Sequence, residues 1–399
     1  MDTIRIQRDG VIKTYTLLER LGSGSFSQVY KCKTVVDGKE QIYAVKVFNK
    51  SFLKNEKTWR RVSGNMECHT AFEKVELEIA LMKKLDHPNL VKLIDVIDDE
   101  HLDRLYMVIE YVERGQIMVC DEQTMEFTSP ITHKVLTEEK ARRYLFDIMS
   151  GLKYLHLHKV VHRDIKPENL LVTNDDHVKI VDFGVAHLFE TCNNVEKELR
   201  DQLPITTKPL NLLTRTPTGL LRNTAGTIYF YAPECTTDEP YNTYAVDIWA
   251  VGVTLYIMVV GKLPLFNPDL VSFFDDLVAK EIEYPASLSP ELIDLLKRFL
   301  CRDPLKRISI DEVLEHPWMK KARFAAEDHI ITIQRDLLSN EEISDALAQR
   351  YHNETSTTPQ EEQEEQEEPG EEAMEGNEKK RKALQVVMNQ VRSTKCSVL

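Results

Sequence analysis

The chain has no CxxC pair, and its seven cysteines (Cys32, Cys68, Cys120, Cys192, Cys235, Cys301 and Cys396) are scattered and odd in number. This argues against a disulfide framework or a zinc site and for a reducing compartment. A long apolar run is missing too: the longest, Val251 to Val260, is about half of the roughly 20 residues that cross a bilayer. The opening residues, Met1 to Gln7, are polar, so no signal peptide is expected. No internal repeat is visible. What is present suffices for a core, with 42% apolar residues among 399.

The net charge of −14 is unevenly placed. Residues 354–378 hold eleven acidic side chains and no Lys or Arg, whereas residues 379–399 hold six basic ones and no acid. The charge is therefore mostly a property of the tail, and no nucleic-acid partner is expected. Composition divides the chain into five parts: a leader over 1–14, a folded region over 15–321, a helical extension over 322–353, an acidic, disordered linker over 354–378, and a basic tail over 379–399. Within the folded region, strands are expected at 15–21, 28–34 and 41–48. A helix follows through Val75, Ile79, Met82 and Leu85 and stops at His87-Pro88. Later, Ala141, Leu145, Ile148, Leu152 and Leu155 form one helical apolar stripe.

Leu21-Gly22-Ser23-Gly24-Ser25-Phe26-Ser27-Gln28-Val29 is a Gly-rich turn between two strands. Glycines let a backbone fold over phosphates and offer N–H groups to them, although a plain glycine hairpin reads the same way in isolation. Further motifs follow in order: Tyr43-Ala44-Val45-Lys46 on a strand, His162-Arg163-Asp164 with Asn169, Asp182-Phe183-Gly184, and Ala232-Pro233-Glu234. Their order and spacing resemble the eukaryotic protein kinase set over roughly residues 15–321.

That resemblance implies an α+β fold of two lobes, a small mainly β N-lobe (about 15–111) and a larger α-helical C-lobe (about 112–321). It implies ATP and Mg²⁺ as cofactors. Lys46 would hold the α- and β-phosphates, with a helix glutamate as its partner. Glu73, Glu76 and Glu78 compete for that place, and the surrounding pattern favours Glu78, leaving the other two as solvated charges. Asn169 and Asp182 would bind the metal, and Asp164 would accept the proton of the acceptor hydroxyl. The phosphate loop would use Gly22, Ser23, Gly24, Ser25 and Phe26. Ile109 would form the back of the adenine pocket, the backbone of Glu110 and Val112 would bond adenine, and Gln116 falls near the ribose. Leu21, Val29, Ala44 and Leu171 would sandwich the ring. Asp247-Ile248-Trp249, Arg307 with Glu234, and His316-Pro317-Trp318 are expected as scaffold.

Lys166, two residues after Asp164, and Thr227 after Gly226 resemble the serine/threonine form of the catalytic loop, with both side chains near the acceptor. Gln116, Glu168 and Ile257 fill three positions where arginine-directed kinases carry acids, so no strong preference for upstream arginine is expected. Val112 to Met118, Leu136 to Arg142 and Val246 to Tyr256 resemble the calcium/calmodulin-dependent protein kinase kinases and related activators of AMP-activated protein kinase. The protein substrate implied is another kinase. Two stretches depart from that group, 51–70 and 189–221, and both are expected as surface loops. Asn223 replaces the usual activation-loop acceptor, so activity without that phosphate is expected. Retention of Lys46, Asp164 and Asp182 argues against a pseudokinase scaffold.

The end, Cys396-Ser397-Val398-Leu399, fits a prenylation motif, with Lys379 to Lys382, Arg392 and Lys395 upstream. One lipid with a basic patch gives stable attachment, so a cytoplasmic protein partly held at a membrane surface is expected. Leu384, Val387, Met388 and Val391 recur at helical spacing among basic residues, which leaves calmodulin as a second candidate partner of the tail.

Overall fold

Alternating apolar and polar residues dominate the first hundred positions and build a sheet. A computed structural model describes residues 3–8, 11–24, 26–62, 65–98, 102–189, 220–221, 225–237 and 240–321. Strands Thr3–Arg8 (β1), Val11–Ser23 (β2), Ser27–Val36 (β3) and Lys39–Asn49 (β4) come first. A short helix, Lys50–Asn55 (α1), is capped by the Asn49 side chain, which accepts from the Phe52 N–H at 2.7 Å. A hairpin of Lys57–Val62 (β5) and Asn65–Thr70 (β6) leads into helix Ala71–Lys84 (α2). Leu93–Asp98 (β7) and Arg104–Glu110 (β8) complete the sheet, whose order is β1-β2-β3-β4-β8-β7, all antiparallel.

The period of two sorts the side chains of this sheet. On β8, Leu105 and Met107 join the main core with α2, while Tyr106 and Val108 join a second core with Ile4, Tyr15, Cys32, Val45, Val47 and Ile97. Residues 1–14, expected as a leader, thus contribute an edge strand and a core residue, Ile4. The stretch 51–70, expected as a loop, is corrected to α1 and the β5–β6 hairpin, in which Trp59 lies opposite Cys68 and Arg60 opposite Glu67. Glu73, expected as a solvated charge, closes a capping box with Thr70 at the start of α2.

The second half is helical, as expected. Val119–Asp121 (β9) and Glu126–Thr128 (β10) form a hairpin before Glu138–Leu157 (α3), and the 141–155 stripe of α3 is buried. Short strands Val160–Val161 (β11), Leu170–Val172 (β12), Val178–Ile180 (β13) and His187–Leu188 (β14) shape the loops above α3. Leu220–Leu221 (β15) pairs with Tyr241–Asn242 (β16). Helices Thr243–Val260 (α4), Leu270–Ala279 (α5), Pro290–Phe299 (α6), Ile310–Glu315 (α7) and Pro317–Lys320 (α8) follow. Helix α4 is long and apolar enough to span a membrane by composition, with mean hydropathy 1.7, but 89% of it is buried inside this lobe. It is a core helix that the other elements wrap. The architecture is the two-lobed one expected, a β-rich N-lobe over a helical C-lobe.

Gly252 of α4 has no room for a side chain, because a Cβ there would lie 2.6 Å from the Phe299 Cβ on α6. Gly252→Val is therefore expected to overpack this contact and destabilise the fold by about 1–3 kcal/mol. Thermal unfolding should show a midpoint several degrees lower; an unchanged midpoint would refute the close packing.

Candidate active site

Strand register sets the nucleotide-facing wall. Gly22 lies opposite Val29 and Ser23 opposite Gln28 across the β2–β3 turn, while Val29 faces Lys46 on β4. Ala44 lies opposite Ile109 on β8. Ala44 is buried, Val29 and Leu171 are half-buried, and Leu21 and Phe26 are exposed. Where β8 ends, the Glu110 N–H donates to the Lys92 carbonyl, and its carboxylate pairs with Lys179 at 3.0 Å. Among the described residues no hydrogen bond reaches the Val112 N–H, although Val112 itself is buried. The chain then bonds to β12: Ile117 N–H donates to Leu170 O, and Gln116 bridges Leu171. Ser25 lies outside the described residues.

Lys46 sits between two carboxylates, 2.9 Å from Glu78 Oε1 and 2.8 Å from Asp182 Oδ1. Helix α2 supplies Glu78, which is 3% exposed. Burial works against the Lys46 charge, but the Asp182 and Glu78 carboxylates outweigh it and hold its pKa above the ordinary lysine value. Burial pushes the Glu78 carboxyl up, with the Lys46 ammonium pulling against it. The same ammonium holds Asp182 down to about 2, so Asp182 is ionised at any physiological pH. Of the three glutamates weighed from the sequence, Glu78 is the one the fold brings to Lys46.

The catalytic loop is built on Asp247 of α4. Its carboxylate is fully buried and accepts from the His162 N–H at 3.0 Å, the Arg163 N–H at 2.8 Å and His156 Nε2 at 2.9 Å. Arg163 adopts φ 69 and Asp182 φ 66, left-handed conformations that non-glycine residues adopt only when their surroundings enforce them. The His162 ring fixes the distance between the two: its Nε2 donates to Val181 O at 3.0 Å, and it meets the Phe183 ring edge-on at 5.4 Å.

Asp164 is held on both oxygens. Oδ1 accepts from the Thr227 N–H and hydroxyl, each at 2.9 Å; Oδ2 accepts from Asn169 Nδ2 at 2.9 Å and lies 3.2 Å from Lys166 Nζ. Lys166 also donates to Thr227 Oγ1 at 2.6 Å. Asp164, Lys166 and Thr227 thus form one hydrogen-bonded set. Asn169 donates through nitrogen, leaving its amide oxygen without a described partner, and Asp182 meets Lys46 and the Gly184 N–H through Oδ1. The Asn169 main-chain carbonyl accepts from the N–H of Val181, next to Asp182, and an amide and a carboxylate are the hard oxygen donors that Mg²⁺ takes. Glu168 sits in the 3₁₀ turn Pro167–Asn169 with Oε2 buried and unpartnered, and burial pushes its carboxyl up. Ile257 is fully buried in α4, so it reads no substrate.

Arg307 grips Glu234 through two nitrogens, the Nη2 contact at 2.8 Å, and donates to the Ala245 carbonyl, anchoring the segment after Thr227. Sequence reasoning gave no role to His156, or to Tyr231, whose hydroxyl donates to the Gly226 carbonyl at 3.2 Å. A histidine six residues before His162 carries no motif of its own; its role follows from α3 passing beside α4. Asn223 with its neighbour Thr224, residues 190–219 of the 189–221 stretch (Thr214, Thr216 and Thr218 among them), and all of 322–399, Cys396 included, lie outside the described residues.

Residues 15–319 match the protein kinase domain. The chain belongs to the protein kinase family, in its serine/threonine class. It is 39% identical over 313 residues to the serine/threonine-protein kinase GRIK2 of Arabidopsis thaliana, covering 78% of this chain and 66% of that one. To GRIK1 of the same plant it is also 39% identical, over 77% of this chain and 67% of the relative. To the serine/threonine-protein kinase ssp1 of Schizosaccharomyces pombe it is 34% identical, over 84% of this chain and 48% of that one. The match thus spans about half to two thirds of these relatives.

Gly226 adopts φ +104, and a Cβ there would fall 2.2 Å from the Arg163 carbonyl. Gly226→Ala is expected to pull Thr227 off Asp164 and lower kcat at least tenfold, and Asp164→Asn to lower it about 10²–10⁴-fold, with KM for ATP little changed. Steady-state phosphotransfer kinetics would check both; a kcat near wild type in either variant would remove that residue from the catalytic set.

Proposed function

We propose that this protein transfers the terminal phosphoryl group of ATP to a serine or threonine hydroxyl of another protein, and that its substrates are other kinases, modified on an activation-loop threonine. The observation that carries the reaction is the hydrogen-bonded set Asp164, Lys166 and Thr227, which Asn169 joins to the Lys46, Glu78 and Asp182 cluster by donating to Asp164 and accepting from the N–H of Val181, next to Asp182.

In this reading Lys46 binds the α- and β-phosphates and Glu78 keeps its ammonium in place. Asp182 and Asn169 would hold Mg²⁺, which when bound supplies charge neutralisation to the phosphates. Asp164, fixed on both oxygens, orients the acceptor hydroxyl and takes its proton as the new P–O bond forms and the bond from the γ-phosphorus to the β,γ-bridging oxygen breaks, ADP leaving with that oxygen. Lys166 stabilises the phosphoryl oxygens in transit, and Thr227 sets the acceptor chain at the right height. Catalysis is positioning and electrostatics rather than covalent chemistry by the protein. Support for a kinase as substrate comes from the passages 112–118, 136–142 and 246–256, which resemble the kinase-kinase group. Asn223 at the usual acceptor position supports activity without that phosphate.

The test is phosphotransfer from ATP and Mg²⁺ by the full chain, beside Asp182→Ala. The substrate is the catalytically inactive kinase domain of an AMP-activated-type kinase, with calcium/calmodulin present or absent. Incorporation on its activation-loop threonine, lost in the variant and kept after phosphatase treatment of the enzyme, is expected. Autophosphorylation with no transfer would remove the substrate class. A calcium response would assign the segment 384–391 as a calmodulin target.

A lipid anchor at Cys396 is a separate proposal, supported by the motif and the basic residues before it. Isoprenoid labelling in cells should tag the wild type and not Cys396→Ser, and the variant should move to the soluble fraction. Equal membrane partitioning of both would refute it.

A further inference from the structure

Among the described residues, the tip of the β2–β3 turn is exposed at Ser23, Gly24 and Phe26. Gly22 and Gly24 carry no Cβ to restrict the backbone, and beyond the Gly22–Val29 and Ser23–Gln28 pairs the described tip is joined from Gly24 N–H to Ser27 O at 2.8 Å. A loop that samples many conformations weakens binding in proportion to the fraction of time it spends in the competent one. Something outside the turn must select that conformation.

Phe26, at the tip, packs against Phe52 of α1 with ring centroids 5.9 Å apart and planes inclined at 44°. Both rings are open to solvent, 40% and 48% exposed, and neither belongs to a core cluster. Helix α1 already has its core anchor in Leu53, which is fully buried. Packing of the fold therefore gives no reason for a phenylalanine at 52.

The helix that carries Phe52 is held on several sides. Its first turn is capped by Asn49; the Ser51 N–H and hydroxyl both donate to Asp103 Oδ1, at 2.8 and 2.7 Å; and Lys50 N–H donates to Asp103 O. Its end is joined to α2, where Ala71 N–H donates to Glu56 O at 2.9 Å and the Lys54 ammonium lies 5.2 Å from the Phe72 ring centre. Phe52 is the fixed partner of the pair and Phe26 the movable one. Through α1 the loop tip is tied to the helix that places Glu78 on Lys46.

We propose that Phe52 is a positioning residue for the nucleotide: it latches Phe26 and holds the glycine turn in its phosphate-gripping arrangement without touching ATP. The proposal rests on the ATP-binding reading given above. An aromatic pair of this kind shifts an equilibrium by about two- to tenfold. The latch acts on the free loop, so it changes nucleotide affinity and leaves the chemical step alone.

The test measures the Kd of the full chain for a fluorescent ATP analogue with Mg²⁺, and KM and kcat with myelin basic protein as acceptor. Phe52→Ala is expected to raise both Kd and KM for ATP about two- to tenfold, with kcat, KM for the acceptor and the thermal midpoint unchanged. Phe52→Tyr should restore wild-type affinity, and Val35→Ala, on the far part of β3, should change nothing. Phe26→Ala and Phe52→Ala should be non-additive in Kd. An unchanged Kd in Phe52→Ala would show that the contact is idle, and a lowered one that it holds the loop away; either overturns the latch. A wild-type chain that fails to bind the analogue removes the ATP reading itself, and that failure is seen before any variant is compared.

Discussion

Burying an ionised carboxylate is costly unless hydrogen bonds replace its water. Asp247 meets that condition with the backbone N–H groups of His162 and Arg163 and the ring of His156. Burial works to raise its pKa, but these donors outweigh it and hold the group below the usual carboxylate range. Because two of the donors are main-chain, the carboxylate acts on the path of the backbone. It imposes the left-handed turn at Arg163, and that turn presents Asp164 to Thr227 and Asn169. Helix α4, apolar and buried, gives the charge an unyielding base. A polar group at the centre of the molecule thus sets the geometry of a site near its surface.

The two lobes meet through charge as well as packing. Lys46 comes from the sheet, Glu78 from α2 and Asp182 from the loop after β13, and none of the three sits close to another in sequence. The cluster exists only when sheet, helix and loop are all in place, so it reports on the whole arrangement. The Thr70–Glu73 capping box at the start of α2 contributes to the same end, since it fixes where the helix begins and therefore which face carries Glu78.

Helices α2 and α3 and strands β2 to β4 were legible: burial imposes the helical period of the 141–155 stripe, and the strands are apolar runs bounded by turn residues. The catalytic residues were legible because Lys46, Asp164 and Asp182 each stand in a recognisable string. The stretch 51–70 was not. Helix α1 buries one side chain, Leu53, and the β5–β6 hairpin carries Lys57, Arg60, Arg61, Asn65 and Glu67, so neither shows an apolar period. Strand β1 was missed for a different reason: Ile4 and Ile6 do alternate with Thr3, Arg5 and Gln7, but the stretch is short and polar overall, and its place is decided by pairing with β2. His156 and Tyr231 act through tertiary contacts that no local string encodes.

The edge strand has a further consequence. The family match begins at Tyr15, part-way along β2, and a fragment cut there would lose β1 and the Ile4 side chain that covers one end of the second core. An unpaired sheet edge beside exposed apolar side chains is a template for association between chains. A domain boundary drawn from the family alone would therefore expose β2 and favour association, whereas one drawn before Thr3 keeps β2 paired and Ile4 in the second core.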